Sequence, residues 1–255
     1  MAWKPNRYFR IAADYKTGAF QKIMKTQRGF TITEILTAMT VGIIVVGAIY
    51  SIVIMARKSA GAIELRSAAD QDVRAALEIM SLEIQMASYN PKHKFNMWKK
   101  YNDPKEALAP EQINKGIQEA TTTSITIEMD LNGNEQIAAI KGDENEVIRY
   151  EYVATESDHY ITRSTNGGSA QPLLGAAFKS TTPKTVRVVN GDTPVFKYYD
   201  GKGFLIDKDL NANIPNIRRI EITLIVETDE LSPDTGLRRK MTYTTCVIPR
   251  NHAVQ

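Results

Sequence analysis

The chain has 255 residues, 43% hydrophobic and 24% charged, with a formal net charge of +3 and one cysteine. That balance allows one or two packed domains and excludes an intramolecular disulfide. Residues 1–29 hold seven Lys and Arg against Asp14, a net +6 that leaves −3 for the remainder, so the basic character belongs to the first 29 residues and argues for no nucleic-acid partner.

Residues 30–56 carry one charge, Glu34. At about 1.5 Å of rise per residue, a helix here would be about 40 Å long, and a bilayer core needs roughly 20 residues. The run is long enough to cross a membrane. A carboxylate in hydrocarbon costs at least about 2.5 kcal/mol, so Glu34 needs a reason to be there. A secretory peptide has an apolar core of about 7–15 residues ending in small residues. This run is longer and is followed by Arg57-Lys58, so the helix is expected to stay in the mature protein. Basic residues before it and a mildly acidic remainder predict a cytoplasmic N-terminus.

Arg28-Gly29, Phe30-Thr31-x-x-Glu34 and the apolar run behind them resemble the type III signal of type IV pilins and pseudopilins. The resemblance implies cleavage between Gly29 and Phe30 by a prepilin peptidase, with N-methylation of Phe30. It implies an assembly role for Glu34, which would meet the N-terminal amine of a neighbouring subunit. Thr33 departs from the aliphatic residue more common there. Residues 1–23 are long for such a leader, and residues 24–29 alone would make a short basic one. Either the leader is long or translation starts at Met24.

Beyond residue 56, Leu65, Ala69, Val73, Leu77, Met80, Ile84 and Ala87 recur at helical spacing. They predict one amphipathic stripe, with Glu64, Arg66, Asp70, Asp72, Arg74, Glu78 and Glu83 on the other faces. Asn90-Pro91 ends the helix. Gly42, Gly47 and Gly61 either loosen it or, for the first two, form a small-residue packing face. Residues 91–123 read as a connecting loop with one short helix near 111–119. From Ser124 the period becomes two. Residues 148–152 and 160–162 predict a hairpin, and residues 186–189 and 195–199 bracket a turn at 190–192. Ile220, Ile222, Leu224 and Val226 share a face that Met241, Tyr243, Thr245 and Val247 answer. Cys246 in that strand reads as a small buried residue. The fold class is α+β: a long N-terminal helix packed on a C-terminal antiparallel sheet. The expected divisions are a removed leader at 1–29, a membrane and filament half of the helix at 30–56, its amphipathic half at 57–90, a loop at 91–123 and a periplasmic sheet domain at 124–255.

A looser likeness covers the second half. Arg149-Tyr150, Ile161-Thr162-Arg163, Phe196-Lys197-Tyr198-Tyr199-Asp200-Gly201-x-Gly203, Ile214-Pro215-Asn216-Ile217-Arg218-Arg219-Ile220 and Arg250-Asn251 resemble minor pilins of the PilW type. This implies a non-enzymatic minor subunit at or near a filament tip. Its partners would be the prepilin peptidase/methyltransferase, other major and minor pilins, an inner-membrane assembly platform and the lipid bilayer. A J-type minor pseudopilin of type II secretion is the alternative. A tip-displayed binding module is another, and Trp98 with Tyr101 exposed in the loop would favour it.

No zinc pattern joins His93, His159 and His252, no phosphate loop occurs, and no cofactor is expected. Ser157-Asp158-His159 holds triad residue types, but adjacent turn residues point apart. Asp207, Asp209, Asn211 and Asn213 are spaced like the first ligands of a calcium loop. The glycine and glutamate that such a loop needs are replaced by Ala212 and Arg218. Asp130, Asn132 and Asn134 are a weaker candidate set.

Overall fold

A computed structural model of the protein describes residues 29–94, 97–100, 103–107, 115–137, 143–176 and 184–252. The chain forms two compact units, Met1–Ile52 and Val53–Gln255, and the division falls inside one helix. That helix, α1, runs Ile32–Met86. In the first unit every described residue is exposed, although the composition there is almost wholly apolar.

In the second unit α1 buries Ala62, Ala69, Val73, Ala76, Leu77, Met80 and Ile84. These residues lie close to the expected stripe, with Leu65 only half-buried. Gly61 meets the loop before β12 (Lys240–Val247): a Cβ there would lie 3.3 Å from Pro233 Cγ. The helix ends as Ser88 turns to φ +66, a left-handed residue of the kind that closes helices. The Ser88 N–H donates to Glu128 O at 2.9 Å, and Glu128 N–H donates to Gly116 O at 2.7 Å. Gly116 N–H donates to Ser88 Oγ at 2.9 Å. A Cβ on Gly116 would lie 2.3 Å from Glu128 O and 2.4 Å from Ser88 N, so only glycine fits this knot.

Among the described residues the strands form two five-stranded antiparallel sheets and one small ribbon. The ribbon pairs β1 (Lys99–Lys100) with β2 (Asp103–Ala107). The first large sheet is a meander of β3 (Ile117–Ala120), β4 (Ser124–Glu128), β5 (Val147–Ala154), β6 (His159–Thr165) and β7 (Gln171–Leu174). The second contains β8 (Val186–Val188), β9 (Phe196–Tyr199), β10 (Leu205–Ile206), β11 (Arg219–Thr228) and β12. Buried side chains of both sheets join the α1 stripe in one core. Each alternate residue of β11 from Ile220 to Val226 is fully buried, which is how period two delivers a sheet face.

The α+β arrangement, one long apolar N-terminal helix with an antiparallel sheet region, is what the structure has. Four local readings change. Residues 91–123 contain β1, β2 and β3. Of the helix expected near 111–119, residues 111–114 lie outside the described residues, and Ile117–Ala120 is a strand. Ile117 and Ala120 are both buried there, while Glu119 on the other face accepts hydrogen bonds from Ser124, Thr126 and Arg149. The turn at 190–192 is present, with Thr193 N–H donating to Asn190 O at 3.0 Å, but β8 and β9 do not pair with each other. Both pair with β11, β8 at Val226–Thr228 and β9 at Arg219–Ile222. Asn190 fills the gap between them. Its amide donates to Thr223 O at 2.8 Å, and its carbonyl accepts from Ile225 N–H at 2.9 Å, so one side chain stands in for a rung of the ladder.

The fourth change is Cys246, which is exposed. The pairing of Ile220, Ile222, Leu224 and Val226 with Val247, Thr245, Tyr243 and Met241 turns the intervening residues, Cys246 among them, to the opposite face.

Polar side chains tie the elements together in three places. Glu83 of α1 accepts from Tyr150 Oη and from both Arg163 Nε and Nη2, at 3.0 and 2.7 Å. Asp70 of α1 accepts from Tyr243 Oη at 2.9 Å. His252 lies in a short 3-10 turn, Arg250–His252. It donates from Nε2 to Ile214 O at 2.9 Å and accepts at Nδ1 from Ser88 Oγ, 3.0 Å away, because the carbonyl can only accept.

Candidate processing and assembly site

The site is linear, and the start of α1 builds it. Thr31 precedes the first helical residue and Glu34 is the third. Thr31 N–H and Thr31 Oγ1 both donate to Glu34 Oε2 at 2.8 Å. Glu34 N–H returns a bond to Thr31 Oγ1 at 3.3 Å. This is a capping box, in which the first residue's hydroxyl and the third residue's carboxylate satisfy each other's backbone donors. The sequence signal for this box is Thr31-x-x-Glu34, which the reading of Glu34 as a charge in an apolar run and an assembly residue did not include. Glu34 Oε1 makes no hydrogen bond to any described residue. One carboxylate oxygen holds the helix start, and the other is open to a cation.

Gly29 and Phe30 precede the helix in extended or irregular backbone, and Phe30 is 84% exposed. A Cβ on Gly29 would meet nothing within 4 Å, and the same holds at Gly42 and Gly47. The fold itself therefore does not require glycine at these three positions.

Behind Glu34 the helix carries exposed Ile, Val, Leu and Met side chains as far as Met55. One helix among the described residues, α1, is long and apolar enough to cross a membrane, and none of its apolar window is buried. Thr37, Thr40 and Ser51 each donate to the carbonyl four residues back, which keeps these three hydroxyls off the apolar surface.

The other candidate residues do not converge on a ligand. Asn211 Oδ1 accepts from Ala120 N–H at 3.2 Å. Asn213 Nδ2 donates to Lys208 O and Asp209 O, which closes the loop on itself. Asp207, Asp209 and Asn211 line an open cleft of about 570 Å³ with Ala120 to Thr122. Asp130 accepts the backbone N–H groups of Gly133, Asn134 and Glu135. Among the described residues no group of three or more His, Cys, Asp and Glu is placed to hold a metal ion. Trp98 is buried against Met97, Ile137 and Val147 and offers no exposed aromatic surface, and Tyr101 lies outside the described residues.

One comparison with known proteins gives a match at the N-terminal end of the chain. Residues 24–50 match the family described as the prokaryotic N-terminal methylation motif. The match supports a type IV pilin-like or pseudopilin chain of the kind processed by a prepilin peptidase and assembled with other pilins. No curated protein and no solved structure matches the chain.

Proposed function

We propose that this chain is a minor type IV pilin of the PilW type, a structural subunit without catalytic activity. A prepilin peptidase removes residues 1–29 and the new Phe30 amine is methylated. Before assembly, residues 30–56 hold the chain in the inner membrane, with the basic N-terminus in the cytoplasm and the sheets in the periplasm. An assembly platform then draws it into a filament with other pilins, at or near the tip.

The observation that carries this reading is the combination at the start of α1. A methylation motif over residues 24–50 leads into a helix whose apolar surface is unburied and whose only charge before Arg57 is Glu34. An apolar helix surface of this extent in water is unfavourable by about 25 cal/mol per Å², so lipid or neighbouring helices must cover it.

The test is processing and incorporation in one strain. Gly29→Val should leave the leader attached and remove the protein from sheared filaments, while the native chain is found there, cleaved. A cleaved Gly29→Val protein, or a native chain absent from filaments that form normally, would contradict the proposal.

A further inference from the structure

We infer that the outer edge of β12, which pairs with no strand among the described residues, is a docking surface for an extended, acidic strand of a different protein chain. The edges of the two large sheets are not alike. β3 carries a register shift between Ile117 and Glu119. β7 contains Pro172 and faces another shift in β6, between Ile161 and Thr162. β10 has two residues. Bulges, prolines and short length are the usual means by which proteins blunt a sheet edge. β12 has none of these three and carries only one edge charge, Lys240 at its start: eight residues pair with β11 in unbroken register, from Lys240 opposite Glu227 to Val247 opposite Ile220.

The direction of its backbone groups follows from β11. Thr228 N–H donates to Arg239 O on the β12 side, while Thr223 N–H and Ile225 O bond to Val195 and Val189 on the other side. Even-numbered residues of β11 therefore face β12. By antiparallel alternation Met241, Tyr243, Thr245 and Val247 are used up against β11, and the N–H and C=O groups of Thr242, Thr244 and Cys246 point to the open edge. The core row is also incomplete there. β11 buries Ile222, Leu224 and Val226 fully, whereas Met241, Tyr243 and Thr245 beside them are only half-buried. Exposed Leu237 and Ile248 flank the strand. One more strand would complete both the ladder and this row.

Charge selects the occupant. Residues 238–250 contain Arg238, Arg239, Lys240 and Arg250 and no carboxylate. Asp229 lies 3.7 Å from Arg238 and Glu227 stands opposite Lys240, so Arg239 and Arg250 remain in excess. A second copy would set this basic segment against itself. The chain's own residues 1–29, with seven cations and one acid, carry the same sign. A carboxylate-bearing strand from another protein fits, apolar at every second position to continue the Met241–Tyr243 row.

The test uses the full chain in detergent micelles. The probe is a capped octapeptide alternating valine with glutamate, aspartate and threonine, and a second version carries lysine for each acid. The acidic peptide should slow amide exchange at Thr242, Thr244 and Cys246 but not at the already bonded Met241, Tyr243 and Thr245. The lysine peptide should bind roughly tenfold more weakly, since opposing charges across an interface set specificity. T244P, which removes one outward N–H, should abolish binding. Arg239→Glu leaves the backbone untouched and should erase the peptide preference by cancelling the excess charge, so the question stays decidable if T244P unfolds. Equal binding of both peptides, or no change in exchange, would overturn the inference. Concentration-dependent protection of the same amides in the protein alone would overturn it too, in favour of a second copy.

Discussion

Glu34 and Thr31 close the start of α1 on each other, with both Thr31 donors on Glu34 Oε2 at 2.8 Å and Glu34 Oε1 left open. The carboxylate therefore has two separable uses, as a cap and as a charge. Cleavage after Gly29 would create a positive amine at Phe30, one turn from Glu34. A neighbouring subunit's amine would then be the natural partner for Oε1. Burying such a pair is roughly neutral in energy, but a subunit out of register leaves two unpaired charges at several kcal/mol each. The pair would set register more than add net adhesion.

Substitution separates the two uses. Glu34→Gln keeps a hydrogen-bond acceptor for Thr31 and removes the charge, whereas Glu34→Leu removes both. Both variants should insert and be cleaved, and both should be lost from sheared filaments. Normal incorporation of Glu34→Gln would mean that capping alone is the role. Thr31→Ala should loosen the first turn by about 1 kcal/mol, visible as faster amide exchange there, without blocking assembly.

Glu83 and Arg163 make a two-bond ion pair with side chains 22% and 24% exposed, and Tyr150 donates to the same carboxylate. Burial and the neighbouring Glu83 push the Tyr150 phenol well above its ordinary range. Glu83→Ala leaves a half-buried guanidinium without its partner and should cost about 3 kcal/mol in denaturant unfolding. In spectrophotometric titration Tyr150 should ionise only as the protein unfolds.

His252 should make the fold acid-sensitive. Burial, with Lys115 and Arg218 nearby, pulls its pKa down to about 4 from 6.5, against the opposing pull of the bond to Ile214. The folded state holds the neutral ring and the unfolded state takes up a proton below 6.5. Stability is therefore complete above that pH and declines as pH falls towards 4, by about 3 kcal/mol at most. His252→Gln should flatten the decline between neutral pH and pH 5, and melting curves across that range would show it.

Asn190 is 3% exposed and replaces a rung between β8 and β9. Asn190→Ala strands Thr223 O and Ile225 N–H inside the sheet and should cost about 2–3 kcal/mol. Asn190→Asp should cost no less, because it removes the donor to Thr223 O and buries a charge. A loss under half a kcal/mol for Asn190→Ala would show that water or backbone rearrangement closes the gap.

What the sequence disclosed follows from periodicity. The α1 stripe and the β11–β12 register were readable because burial follows the helical and the two-residue period, Thr223 in β11 being the exception, and the Gly29 to Glu34 motif because its elements are contiguous. The shared pairing of β8 and β9 with β11 was hidden because the Asn190 side chain, and not a strand-to-strand ladder across the turn, closes the gap. Ile117–Ala120 was too short for either period to show. Cys246 was misplaced by residue type, although the alternation that put Thr245 and Val247 inward already put it outward. The division into two sheets depends on long-range pairing that no local pattern encodes.

On the proposed processing, the chain is cut between Gly29 and Phe30 and keeps everything beyond. Intact-mass and N-terminal peptide mass spectrometry of the membrane- or filament-derived protein reads this out. The expected mature chain begins at N-methylated Phe30 and retains Glu34 and the whole of α1. A mature N-terminus at any other residue, or an uncut Gly29–Phe30 bond in assembled material, would contradict it.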